Sequence, residues 1–151
     1  MGRAHQDPIA DALVLTFTEG VSLGEWERTG LIAREWALYE RLRGFYRKIV
    51  LVTWGGAADR PIAARLGAEL VCNERGLSAG EFAAHAAGAV AGLLGRAESA
   101  LVKTNQMMAG DVPAKVVQQL RANGRVVALV ARGGYHWSCL LYTSPSPRDR
   151  G

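Results

Sequence analysis

The chain has 151 residues, of which 49% are hydrophobic and 21% are charged, and its formal net charge is +4. This size and balance predict one globular domain and exclude a fibrous or wholly disordered protein. No run of Lys and Arg exceeds two residues and no Cys/His cluster has metal-ligand spacing, so we predict neither nucleic-acid binding nor a bound metal.

The N-terminus carries no targeting signal that the sequence reveals. It lacks the apolar core of a secretory signal, and residues 1–8 are expected to be disordered. The longest weakly polar stretch, GEFAAHAAGAVAGLL, contains Glu81 and His85 and is too short to span a bilayer. We therefore expect a cytoplasmic protein without a transmembrane segment, and peripheral membrane association stays open.

Five short apolar runs recur along the chain, at residues 12–17, 48–54, 68–72, 99–104 and 125–131. They are continuous rather than alternating, which is typical of strands that are covered on both faces. The runs predict a parallel sheet.

Helix signals separate these runs. The first helix is predicted from apolar residues at three- to four-residue spacing before Gly44, namely Leu31, Ile32, Trp36, Leu38, Tyr39 and Leu42. Asp59 is predicted to cap a second helix, which ends at Gly67. Ser78 and Glu81 have capping-box spacing and predict the start of a third.

The last helix is predicted to open at Asp111 and Pro113 and to close at Gly124. The order βαβαβαβαβ predicts an α/β fold, a single Rossmann-like doubly wound parallel sheet of about five strands. In such sheets ligands bind outside the carboxyl ends of the strands, so the loops there are the candidate sites.

The loop after the first strand, TEGVSLGEW, offers Glu19, Gly20 and Ser22 as candidate substrate-binding residues. Its backbone N–H groups could bind a phosphate or an acceptor, or its glycines could serve only a tight turn. Arg34 and Glu35, farther along, could bind substrate or pair with each other on a solvated face.

The loops after the fourth and fifth strands supply the other candidates. Thr104, Asn105 and Gln106 could hydrogen-bond sugar hydroxyls, although Asn105 could instead cap the loop backbone. Arg132 could attract an anion, and Tyr135 could offer an apolar face to a sugar ring or be buried against a partner domain. No catalytic residue is assigned.

Five motifs occur in one order on these predicted strand ends and helices: S-L-x-x-W, G-x-x-x-R-E, V-T-W-G, K-T-N-Q and R-x-G-Y-x-x-S. In this order they resemble the N-terminal half of a GT-B glycosyltransferase of the large retaining family called group 1 or family 4. The resemblance covers roughly residues 12–138.

The resemblance implies transfer of a sugar from a nucleotide-sugar donor, the co-substrate, to a sugar or glycan acceptor in a cleft between two Rossmann-like domains. It implies that residues 9–138 are the acceptor-side domain and that the C-terminal donor-binding domain is missing. No further cofactor is expected, and the fragment alone is expected to lack turnover.

The end of the chain lacks the strand and helix patterns of the preceding residues. The eleven residues from Cys139 to Asp149 match one reading frame of a transposase-adapter sequence used in preparing DNA libraries. We interpret residues 139–151 as a non-native tail; a genuine disordered Pro/Ser tail has a similar composition.

Two other function classes remain as alternatives. A dehydrogenase- or epimerase-type cofactor-binding domain is disfavoured because no G-x-G-x-x-G follows the first strand. A non-catalytic flavodoxin-like or receiver-like interaction module is the other, and the receiver version lacks an Asp at any predicted strand end.

Overall fold

The computed structural model describes residues 8–105 and 110–131. Within them the five predicted strands are present, at Ala12–Thr16 (β1), Lys48–Val52 (β2), Glu69–Val71 (β3), Ser99–Thr104 (β4) and Val126–Val130 (β5). Neighbouring strands are all parallel, and their order is β3-β2-β1-β4-β5. The prediction of an α/β fold with a Rossmann-like, doubly wound parallel sheet is confirmed.

Helices connect the strands. They are Leu23–Arg28 (α1), Leu31–Leu42 (α2), Asp59–Leu66 (α3), Ala79–Leu94 (α4) and Asp111–Ala122 (α5). The four predicted helices are confirmed as α2 to α5, while α1 was missed. The sequence carried a signal for α1, since Ser22 and Glu25 lie three residues apart, as the residues of a helix cap do. In the structure the Ser22 hydroxyl accepts a 3.0 Å hydrogen bond from the backbone N–H of Glu25.

Two details of α2 differ from the prediction. The regular helix gives way to a 3-10 turn at Arg43–Phe45, so Gly44 lies inside that turn rather than just beyond the helix. Leu38, which the apolar spacing placed with the buried residues, is 49% exposed. The buried stripe of α2 is therefore narrower than the sequence pattern, and it centres on Trp36 and Tyr39.

The sheet separates two apolar cores. The first face of the sheet, covered by α4 and α5, carries residues of β1, β2 and β4 such as Val14, Val50 and Val102. The second face, covered by α1, α2 and α3, carries residues such as Leu15 and Leu51. This two-sided burial explains why the strands have no polar alternation.

Three tryptophan side chains pack against the apolar cores. Trp26 and Trp36 are buried in the core of the second face. Trp54 is half-buried, and its ring centroid lies 4.7 Å from that of Phe82 on α4. These three side chains therefore contribute buried apolar area.

The expectation of burial on both faces is confirmed for β1, whose five residues are all buried, and is wrong for β5. Val127 of β5 is buried, whereas Val126 is 75% exposed and Val130 is 43% exposed. The reason is position, because β5 is the edge strand and α5 packs against it from the first face.

No helix in the described parts of the chain is long and apolar enough to cross a membrane. The predicted tail, residues 139–151, and all but the last residue of the predicted disordered N-terminus lie outside the described residues.

Candidate functional site

The strand order reverses between β1 and β4, which are neighbours in the middle of the sheet. From β1 the chain proceeds to β2 on one side, and from β4 it proceeds to β5 on the other. Loops that leave a parallel sheet in opposite directions open a crevice at its carboxyl edge. The candidate site is therefore the crevice between the ends of β1 and β4.

Thr16 and Thr104 mark the floor of this crevice. They are partners in the register of β1 and β4, and both are buried. The backbone N–H of Asn105 donates to the Thr16 carbonyl at 2.9 Å, which joins the two loops where they begin. The edge is thus held together by main-chain bonding beyond the last strand residues.

Two of the predicted sugar-binding residues lie at this edge with little accessible surface. Thr104 is 3% exposed and Asn105 is 2% exposed. Both residues therefore belong to the packed floor of the crevice, whereas direct contact with a sugar hydroxyl stays a prediction. The remaining candidates of the last two loops, Gln106, Arg132 and Tyr135, lie outside the described residues.

The predicted residues of the loop after β1 fall into two groups. Glu19 and Gly20 are exposed in a turn, and Gly20 has a φ of +86°, a conformation that glycine adopts at little cost. Ser22 is half-buried, and its hydroxyl caps α1. Gly20 therefore serves a tight turn, which is one of the two interpretations of the sequence.

Asp59 has a different role from the predicted one. It is the first residue of α3, and its side chain reaches away from that helix to the start of α1. Its carboxylate accepts hydrogen bonds from the backbone N–H of Leu23 at 3.0 Å and of Gly24 at 2.9 Å. The Thr53 hydroxyl donates to the same carboxylate at 2.7 Å, and Asp59 is only 1% exposed.

The carboxylate of Asp59 occupies the position that a ligand phosphate would take at the start of the first helix. The amide N–H groups that open α1 are already bonded, to Asp59 and to the Ser22 hydroxyl. A bound anion there would meet a buried carboxylate. The N–H groups of Leu23, Gly24 and Glu25 therefore do not serve a donor phosphate, whereas binding by the N–H groups of Glu19, Gly20 and Ser22 stays a prediction.

Gly55 allows Asp59 to approach α1. A Cβ atom built on Gly55 would lie 2.3 Å from Oδ2 of Asp59 and 2.6 Å from the Cβ of Ser22. Its carbonyl also accepts a 2.8 Å bond from the N–H of Asn73 after β3. The ends of β1, β2 and β3 thus meet at a residue that has no side chain.

A second polar cluster lies between α2 and β4, on the second face of the sheet. The Lys103 ammonium donates to the Tyr39 hydroxyl at 2.9 Å and lies 5.3 Å from the centre of the Tyr39 ring. Arg34 and Glu35 contact each other at 3.3 Å through Nε and Oε2, as the pairing interpretation proposed. These residues and Leu38 line a cavity of about 340 Å³.

A larger cavity, of about 460 Å³, lies away from the crevice, between β3 and α4. Cys72 and His85 are among its lining residues. Burial raises the pKa of the Cys72 thiol, which keeps it protonated and a poor nucleophile. The reversal of the strand order, and not the thiol of this cavity, places the candidate site at the crevice between β1 and β4.

Among residues 8–105 and 110–131 no group of three or more His, Cys, Asp and Glu side chains could hold a metal ion. Comparison of the chain with models of protein families, with curated proteins and with solved structures finds no match. The functional argument therefore rests on the residues themselves.

Several residues that hold this edge of the sheet together, or lie beside it, were not among the site residues predicted from the sequence. Asp59, Thr53 and Gly55 form the structural centre of the edge, and Lys103 and Tyr39 form the pocket beside it. One signal was visible for the pocket, since Lys103 interrupts an otherwise apolar strand run.

Proposed function

We propose that residues 9–138 form the acceptor-side domain of a glycosyltransferase, which transfers a sugar from a nucleotide-sugar donor to a sugar or glycan acceptor. The donor would be held by a second, C-terminal domain. A cytoplasmic location stays a prediction, and no catalytic residue is assigned within the described residues.

One observation carries the proposal: four of the five motifs that resemble the glycosyltransferase family meet in space in pairs, while the fifth, at residues 132–138, lies outside the described residues. S-L-x-x-W contacts V-T-W-G, because Gly55 packs against Ser22, and the N–H of Trp54 donates at 3.0 Å to the carbonyl of Val21, which directly precedes the first motif. G-x-x-x-R-E shares a cavity with K-T-N-Q, since Arg34 and Glu35 line it with Lys103. Motifs far apart in sequence therefore border one edge of the sheet.

The Asp59 network supports an acceptor role over a donor role. A domain that holds a nucleotide diphosphate needs N–H donors or cations for it, and the start of α1 offers none to a ligand. The same network disfavours the dehydrogenase or epimerase alternative, in which a pyrophosphate sits at the first helix.

Titration of the ¹⁵N-labelled chain tests the proposal. Neutral mono- and disaccharides should shift the amide resonances of residues 16–22 and of Asn105, while amides of α5 serve as an internal reference. NAD and FMN, added under the same conditions, should leave Leu23 and Gly24 unshifted because Asp59 bonds both amides.

Two results would overturn the proposal. One is saturable binding of NAD or FMN at Leu23 and Gly24, which would favour a cofactor-binding domain. The other is sugar transfer by the purified 151-residue chain alone, which would contradict an acceptor-side role. Absence of any sugar-dependent shift would favour the non-catalytic interaction module.

A further inference from the structure

Lys103 stands out on the second face of the sheet because its neighbours there are apolar. Its register partner on β1 is Leu15, which is fully buried, and its partner on β5 is Val130. An ammonium group on an apolar sheet face loses hydration, which costs free energy unless other groups replace the lost water. The position therefore needs an explanation beyond packing.

Tyr39 holds the lysine in a fixed place. Its hydroxyl accepts the 2.9 Å hydrogen bond from the ammonium, and its ring lies within cation–π distance. Tyr39 is itself only 1% exposed, in the core between α2 and the sheet. A rigid, buried phenol thus presents Lys103 at the cavity instead of letting its side chain move freely in solvent.

Arg34 brings a second cation to the same cavity. Its side chain is 73% exposed, and the contact with Glu35 uses only one of the five N–H donors of the guanidinium. Glu35 contributes a carboxylate whose side chain is 17% exposed. Among the described lining residues, two cations and one carboxylate give one net positive charge.

We propose that this pocket, lined by Arg34, Glu35, Tyr39 and Lys103, is a subsite for an oxyanion group, a phosphate or a carboxylate, that the acceptor carries. Lys103 and Arg34 contact the anion, and Tyr39 is a positioning residue. The affinity for an anion follows from the pocket alone, whereas attachment of that anion to the acceptor rests on the proposed function.

The size and place of the pocket fit this role. Its volume of about 340 Å³ accommodates a phosphate or carboxylate with part of a sugar ring. Lys103 directly precedes Thr104 and Asn105, so the pocket adjoins the crevice between β1 and β4. An acceptor could place its anionic group in the pocket and its hydroxyl groups in the crevice.

Three matched probes test the proposal with the full chain at low ionic strength: glucose 6-phosphate, glucuronate and neutral glucose. We expect one of the two anions to shift amides of α2 and β4 saturably, with a Kd of about 1–10 mM, and to bind at least about tenfold more tightly than glucose. A phosphate-only or carboxylate-only response identifies which oxyanion the pocket takes.

Variants locate the binding. Lys103→Met should weaken anion binding at least about tenfold, whereas Lys115→Met, the same change at an exposed position on α5, should alter it by less than about twofold. Tyr39→Phe keeps the ring but removes the hydrogen bond to Lys103, and should weaken anion binding by about two- to fivefold. Neutral glucose should respond to none of these changes.

A further variant tests the proposal if the Lys103→Met variant does not fold. Should Lys103→Met be unfolded by circular dichroism, Arg34→Gln, at an exposed helical position, should still weaken anion binding by about threefold or more. Equal binding of glucose and both anions, or undiminished binding to Lys103→Met or Arg34→Gln, would overturn the subsite.

These outcomes separate the subsite from the proposed function. Anion binding that depends on Lys103, without any sugar effect at residues 16–22, would retain the subsite and contradict the acceptor-side role. Neutral-sugar shifts at the crevice, without any anion binding that depends on Lys103, would retain the acceptor-side role and contradict the subsite.

Discussion

The helices α1 and α4 begin in different ways, and the difference separates local from long-range stabilisation. At α4 the Ser78 hydroxyl accepts from the Glu81 N–H, and the Glu81 carboxylate accepts from the Ser78 N–H at 3.1 Å, so the cap involves four consecutive residues. At α1 the carboxylate comes from Asp59, 36 residues beyond Leu23.

The two caps therefore stabilise different amounts of structure. Breaking the cap of α4 affects one end of one helix. Breaking the cap of α1 affects the loops after β1 and β2 together, because Asp59 also bonds Thr53 at the end of β2. We expect disruption of the long-range cap to cost more free energy of unfolding than disruption of the local one.

The largest effect should come from Gly55→Ala. The added methyl group would approach Asp59 and Ser22 within 2.3–2.7 Å, and both lie in a packed region that cannot easily move. We expect a loss of about 3 kcal/mol or more in the free energy of unfolding, measured by urea denaturation.

Gly56→Ala is the matched control for Gly55→Ala, since an added Cβ there meets nothing within 4 Å. It should change the free energy of unfolding by less than about 1 kcal/mol. Equal effects of the two changes would show that general loop flexibility, and not the close approach to Asp59, determines the cost.

Asp59→Asn should have the second-largest effect. The amide keeps the size of the side chain but turns one hydrogen-bond acceptor into a donor that faces other donors. We expect a loss of about 2–3 kcal/mol, together with faster hydrogen exchange at the amides of Leu23 and Gly24.

Glu19→Gln makes the corresponding change at an exposed carboxylate in the neighbouring loop, and should leave both quantities nearly unchanged. Wild-type exchange rates at Leu23 and Gly24 in Asp59→Asn would contradict the long-range cap.

Ser78→Ala should have a smaller effect, confined to the start of α4. Loss of a side-chain cap costs about 1 kcal/mol, and Ser78→Thr, which keeps a capping hydroxyl, should restore most of it. Amides of α1 should not respond. A response there would mean that the two helix starts are coupled, against the comparison drawn above.

The smallest effect should come from Glu81→Gln, and it should depend on pH. Hydrogen bonds from the backbone and side chain of Ser78 hold the pKa of the Glu81 carboxyl below its ordinary value of 4.5. A lowered folded-state pKa stabilises the protein above the unfolded-state value, and this contribution is lost as the pH falls through the folded-state pKa.

Urea midpoints of wild type and Glu81→Gln should therefore differ at about pH 7 and converge towards about pH 3. Glu81→Asp keeps the charge but is one methylene shorter, so it should lose most of the pH-dependent difference. Full retention in Glu81→Asp would point instead to the nearby charge of Arg75 as the cause.

These helix starts also show how far the sequence determines the structure. Ser78 and Glu81 lie three residues apart, so their pairing was predictable from spacing alone. Asp59 has equally good local spacing for capping α3, yet its carboxylate bonds α1 instead. Local propensity could not decide this, because the outcome depends on Gly55 bringing the end of β2 against Ser22.

The candidate site likewise has one part that the sequence predicts and one part that it does not. The carboxyl edge followed from the order of strands and helices, and Thr104 and Asn105 lie there as expected. The pocket beside it depends on Tyr39, which is 64 residues from Lys103 and was identified only as part of an apolar stripe. No periodicity in the sequence predicts which buried phenol meets which lysine.

Asp59 has a consequence for how tightly a ligand could be held in the crevice. Fixing the backbone of one residue costs about 1–2 kcal/mol in conformational entropy, and a mobile loop incurs that cost when the ligand arrives. Here the hydrogen bonds to Leu23 and Gly24 order the end of the loop after β1 as the chain folds. The conformational entropy of this crevice wall is then lost during folding, so the binding of a small, weakly interacting ligand would not incur that cost.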